Sequence, residues 1–135
     1  MSRWAFDLIG KPWQAGADGP DAFDCLGLVR SIYRDVFGVD IPRVNCDAHS
    51  LLSCARAFNR FPEYDRFTRV AVADELDILQ LSHAHAPHHV GIWLDTDGGG
   101  VLSALEGIGV VFQSAAALRA SGWNVTDIYR LKAAP

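Results

Sequence analysis

Between residues 24 and 37 the apolar side chains Cys25, Leu28, Val29, Ile32, Tyr33, Val36 and Phe37 recur at helical spacing. That i, i+3, i+4, i+7 pattern predicts a helix with one buried face. Asp24 is its expected N-cap and Gly38 its stop. A shorter helix is expected over 3–9, ended by Gly10 and Pro12. Another is expected over 48–60, capped by Asp47 or Ser50, with Leu51, Leu52, Ala55 and Phe58 inward and Pro62 at its end. Residues 40–46 read as a connector between them. The period then shortens. Runs at 67–72, 76–81, 89–94, 100–105, 110–112 and 125–131 are β-branched or alternating, as in strands. Turn signals separate them at Ala73-Asp-Glu, Ala86-Pro, Asp95-Thr-Asp-Gly-Gly-Gly and Gly107-Ile-Gly, and a last short helix is expected near 114–120. Helices followed by an antiparallel meander define an α+β domain.

The chain has 135 residues, half of them hydrophobic, with aromatic side chains along its length. A single domain over 1–135 buries a core at that size. The net charge of −4 comes with scattered basic residues and no basic run. No electrostatic footprint for nucleic acid results. No stretch approaches the length of a membrane span. The N-terminus lacks the apolar core and small-residue cleavage site of a secretory signal, so synthesis in the cytoplasm is expected. Three cysteines cannot form a complete disulfide framework. A bridge between Cys46 and Cys54 stays open beside the reading of two free thiols in a reduced compartment.

Cys25 differs from the other two in its surroundings. It follows a loop containing Gly16 and Gly19 and opens a helix, where unpaired N–H groups and the dipole favour thiolate. Gly27, two residues on, is expected to let a strand's side chain approach the helix closely. His89 falls in His88-His-Val-Gly-Ile-Trp-Leu, which reads as a buried strand. A thiol on a helix start and an imidazole on a strand are the two halves of a cysteine hydrolase site. Four of the five histidines lie within Ser82-His-Ala-His-Ala-Pro-His-His. In an extended segment His83 and His85 share a face, while His88 and His89 take opposite faces. No metal-ligand spacing accompanies them, so no metal or cofactor is expected; His83, His85 and His88 read as an exposed polar loop at the mouth of a cleft. Asp95 and Asp97 beside Gly98-Gly-Gly read as a turn, since a calcium loop needs more oxygen ligands at set spacing.

The elements Gly10-x-Pro12-Trp-x-x-Gly16, Phe23-Asp-Cys25-Leu-Gly27-Leu-Val and His89-Val-Gly-Ile-x-Leu resemble the NlpC/P60 cysteine peptidases in order and spacing, over roughly residues 5–131. The resemblance implies a papain-like fold, N-terminal helices packed on an antiparallel sheet, and cleavage of peptide bonds in bacterial peptidoglycan stem peptides. Carried over by position, Cys25 is the nucleophile and His89 the general base and later acid. Its oxyanion donor is the Cys25 N–H, and Asp24 and Trp13 lie on the oxyanion and substrate side of the cleft. Trp13 replaces the usual Tyr and can donate a hydrogen bond but not accept one. The third catalytic position, usually His, Asn or Gln, falls on Ser103, whose short hydroxyl calls for an intervening water. Leu26 after the cysteine, and Leu105-Glu-Gly-Ile-Gly-Val-Val, look most like the phage tail and gene-transfer-agent branch. That implies phage-like tail proteins as partners and action in the periplasm after delivery in a tail. A structural tail component that has lost turnover, and an acyltransferase or amidase using the same thiol, are the competing readings.

Overall fold

The computed structural model describes residues 1–41, 66–83 and 86–132. The helix expected over 48–60, most of the 40–46 connector, Cys46, Cys54 and His85 lie outside the described residues. The first helix, α1 (Arg3–Leu8), buries Ala5. The second, α2 (Cys25–Phe37), starts at the expected cap, where the Asp24 carboxylate accepts the Gly27 N–H. It ends at Gly38 in the left-handed conformation, φ 66°, which a residue without Cβ adopts without steric cost. Leu26, Leu28, Val29, Ile32 and Tyr33 form its buried face. Helical spacing places Val36 and Phe37 on that face too, but both are exposed. Periodicity gives a direction around the helix axis, not how far the covering layer extends along it.

The strands are β1 (Phe67–Val70), β2 (Ile78–His83), β3 (Ala86–Leu94), β4 (Gly100–Leu105), β5 (Gly109–Ser114) and β6 (Trp123–Leu131), with α3 (Ala115–Ala120) between the last two. They form one antiparallel sheet in the order β1-β6-β2-β3-β4-β5. The run from β2 to β5 is the expected meander. The last strand corrects the rest of that expectation: β6 returns across the sheet and inserts between β1 and β2. Alternation and turn residues specify strands and hairpins; they carry little information about which edge a strand joins after a helical crossing. A second correction concerns Ala86-Pro87, which reads as a turn but belongs to β3, pairing with His83 and Ser82. Pro87 lies where the β2–β3 register shifts, a place where the missing N–H of proline is tolerated.

Alternation divides the sheet into two faces. Ile78, Val90, Ile92, Leu94, Leu102, Ala104, Val110 and Tyr129 pack with the buried face of α2 into the main core. Leu79, Leu81 and Val101 point the other way and pack with Leu118 of α3, bordered by Trp93, Trp123 and Ile128. One tie fixes α2 against the sheet. The Tyr33 hydroxyl donates to the Leu76 carbonyl, while Leu76 N–H donates to Trp93 O at 2.8 Å. Leu76 is thereby held at φ 70°, a strained conformation for a side chain with a Cβ. Burial, and secondarily the charge of Asp77, push the Tyr33 phenol well above its ordinary pKa.

Candidate active site

The loop before α2 is built from backbone bonds that end at Cys25. Gly10 N–H donates to Val110 O and Val110 N–H to Lys11 O, both at 2.9 Å. The same loop then folds on itself: Phe23 N–H donates to Pro12 O at 3.0 Å, and Asp24 N–H to Ala17 O at 2.9 Å. These bonds attach the loop, and with it the helix start, to the end of the sheet where β5 begins. In an antiparallel sheet that is also the end where β4 finishes and β3 starts.

Asp24 is 6 % exposed. One carboxylate oxygen accepts Gly27 N–H at 2.6 Å and the other accepts Gly16 N–H at 2.8 Å. The carboxylate thus clamps the loop to the first turn of the helix. A Cβ at Gly27 would lie 1.9 Å from the Ala17 carbonyl oxygen. The close approach anticipated there exists, but its source is the backbone of the preceding loop, not a strand's side chain. The guanidinium of Arg30 reinforces the clamp one turn on. It donates to Asp18 at 2.5 Å and to the Ile41 carbonyl at 2.7 Å. Neither Arg30 nor Asp18 stands out in the sequence, because a charged pair twelve residues apart has no local pattern.

Cys25 is the first residue of α2, half-buried, and packs on the margin of the main core. The half-buried Trp13 packs on the same core and pairs in a backbone bridge with Phe23, two residues before the cysteine. His89 lies in β3 opposite Leu81 and is 6 % exposed. Ser103 lies in β4 opposite Val111 and is 1 % exposed. Its Cβ would lie 3.1 Å from a Cβ built on Gly91. Gly91 and His89 are two residues apart on one strand, so His89 and Ser103 share a face of the sheet. That face carries Leu81 and Val101, whereas the intervening Val90 and Ile92 point to α2. Cys25, at the start of α2, and His89, near the start of β3, thus lie at the same end of the sheet. The Ser103 hydroxyl has no hydrogen-bond partner among the described residues.

His83 corrects another expectation. It is exposed but ends strand β2 instead of lying in a loop, and its ring meets Trp123 edge-on at 5.3 Å. His88 belongs to β3. Among the described residues no group of three or more His, Cys, Asp or Glu could hold a metal, and no helix is long and apolar enough to cross a membrane. Nothing in the residue pattern singles out Trp123, whose ring centroid lies 4.9 Å from that of His89. An aromatic residue opening a strand after a glycine reads as ordinary packing.

A capped helix carrying a half-buried thiol, set against an antiparallel sheet with a buried histidine at the matching end, makes up an α+β fold. The sequence profile of the NlpC/P60 family matches residues 10–126, and the chain belongs to that family. Solved structures agree on the fold. The NlpC/p60 domain of the peptidoglycan hydrolase SagA superposes with a TM-score of 0.62 at 23 % identity, over 94 % of this chain and 92 % of that one. NlpC2 from Trichomonas vaginalis gives 0.65 at 20 % identity, over 95 % of this chain but 44 % of its own length. A lipoprotein-like NLP/P60 protein from Staphylococcus aureus gives 0.59 at 22 % identity, with 94 % and 38 % covered. The chain thus spans less than half of these last two proteins. No curated protein matches in sequence.

Proposed function

We propose that this domain is a cysteine peptidase that cleaves peptide bonds in peptidoglycan stem peptides, with Cys25 as nucleophile, His89 as base and Ser103 as orienter. The observation that carries the reading is the clamped helix start. Asp24 and Gly27 fix the first turn of α2, where Cys25 sits, and this supports Cys25 as the nucleophile of an NlpC/P60 domain. In this mechanism His89 takes the Cys25 proton and the thiolate attacks the scissile carbonyl carbon. The tetrahedral oxyanion is met by the Cys25 N–H at the helix start. The C–N bond then breaks, and His89 returns the proton to the departing amine. Water, deprotonated by His89, attacks the thioester; the acid leaves and the thiol is restored. A water between Ser103 Oγ and the imidazole would satisfy the buried hydroxyl and fix the ring tautomer.

Digestion of purified muropeptides tests the reading. Cys25→Ala and His89→Ala are each expected to lower turnover by about 10³-fold or more, with the fold intact by circular dichroism. Wild-type turnover in either variant removes that residue from the mechanism. A catalytically silent tail component is favoured by one observation, the unpartnered Ser103 hydroxyl. An inactive wild type that gains turnover as Ser103→His decides for it.

The finer proposal is that the domain is made in the cytoplasm, built into a phage-like tail tip beside other tail proteins, and acts in the periplasm. It rests on the resemblance of Leu26 and of Leu105-Glu-Gly-Ile-Gly-Val-Val to that branch. Tail particles purified from the source cells should contain this chain; particles lacking it, with the chain free in the soluble fraction, overturn the proposal.

A further inference from the structure

The indole of Trp123 stands against the imidazole of His89, ring centroids 4.9 Å apart and planes inclined by 35°. The two residues are not on neighbouring strands. Trp123 opens β6 opposite His83, and His89 in β3 pairs with Leu81; β2 runs between them. The indole therefore reaches across β2 to touch the histidine. Register shifts on both sides of β2, from an extra residue in β6 and another in β3, coincide with this crossing. On one side the register with β6 shifts between Gln80 and Leu81, skipping Thr126, whose hydroxyl donates to Gln80 O at 3.2 Å. On the other side the register with β3 shifts between Leu81 and Ser82, immediately beside His89. Paired bulges of this kind bend a strand and re-aim its neighbours' side chains.

The indole is confined from its other side. His83 lies edge-on to it at 5.3 Å. A Cβ on Gly122, at φ 87°, would lie 3.0 Å from His83 Nε2, a tight contact that would push the His83 ring. Below, Trp123 packs on the cluster of Leu79, Leu81, Val101 and Leu118. The contact with His89 is therefore part of a packed arrangement, and Ser103, the expected orienter, makes no hydrogen bond to the ring.

We propose that Trp123 is a positioning residue for His89, its indole helping to hold the plane of the imidazole. The inference rests on His89 acting as the base.

The test uses the full chain, with turnover on muropeptides and the imidazole nitrogen–proton NMR spectrum as separate readouts. Trp123→Leu keeps apolar volume against Leu81 and Leu118 but removes the ring face. The expected result is a kcat lowered by about threefold to tenfold with KM within about twofold, and His89 ring signals that broaden or divide between tautomers. Trp123→Phe should restore most of both. Unchanged kcat and unchanged His89 signals in Trp123→Leu overturn the positioning role. Should that variant not fold, the wild type decides: cross-peaks between indole and His89 ring protons support the contact, and their absence overturns it. Wild-type turnover in His89→Ala, by contrast, overturns the base assignment itself.

Discussion

Asp24 does two things with one carboxylate, capping α2 through Gly27 and holding Gly16 of the preceding loop. Loss of an N-cap costs about 0.5–2 kcal/mol, and here a second backbone donor loses its acceptor as well. Asp24→Ala is expected to destabilise the domain by about 2–3 kcal/mol, measured by urea unfolding. Iodoacetamide labelling of Cys25 should slow in the same variant, because the loop no longer holds the helix start. Gly27 sets two effects against each other. Alanine gains about 1 kcal/mol over glycine inside an ordinary helix. At this position its Cβ would sit 1.9 Å from a carbonyl oxygen of the loop, and overpacking of that kind costs about 1–3 kcal/mol. The contact is with backbone and cannot rotate away, so the steric term wins. Gly27→Ala is expected to lower both stability and thiol reactivity; a Tm above wild type would show that the loop yields freely.

At the scale of elements, α2 is legible because every signal agrees: Asp24 at the cap, Gly38 at the stop and Leu28, Val29, Ile32 and Tyr33 at helical spacing. The 100–105 strand is read with its observed ends, whereas β3 is longer than expected because Pro87 joins the pairing. What periodicity does not convey is the tie between elements, of which Tyr33 and Leu76 are an instance. Their hydrogen bond links residues forty-three apart. The raised Tyr33 pKa makes this tie sensitive to alkali. The native state holds the phenolic proton more tightly than the unfolded chain, so the stabilisation is complete below the ordinary phenol pKa of about 10. It is lost progressively as pH rises above that value toward the folded pKa. Wild-type stability should therefore fall above about pH 10. Tyr33→Phe, which has no proton to lose, should start lower by about 1 kcal/mol and show a shallower alkaline decline. Parallel declines in urea unfolding from pH 9 to 11 would assign the loss to other groups.

For the molecule as a whole, the site depends on β6 taking its place inside the sheet, since only then does Trp123 reach His89 across β2. That insertion is the feature least visible in the sequence, because it depends on pairings between residues some fifty positions apart. Arg130 and Asp77 are among the groups that hold it. The buried Asp77 carboxylate accepts Arg130 Nε at 3.1 Å and Nη2 at 2.8 Å, and Asp74 N–H at 2.8 Å. Asp77 also gives its carbonyl to Trp93 N–H at 2.9 Å, so β6, the turn before β2 and the end of β3 meet at one residue. Arg130 is more open to solvent than its partner, which weakens the Coulomb attraction but leaves the two-pronged geometry. Removing the cation strands a buried carboxylate, for which the cost approaches the lower end of about 3–5 kcal/mol. Arg130→Met is thus expected to lower stability, read as a lower urea-unfolding midpoint. Exchange of the β6 amides with deuterium should rise most. Arg130→Met with Asp77→Asn should recover part of the loss, because the stranded charge is gone while an oxygen remains to accept Asp74 N–H. A double variant no better than Arg130→Met alone would mean that packing of the arginine stem over the sheet, and not its charge, holds β6 in place.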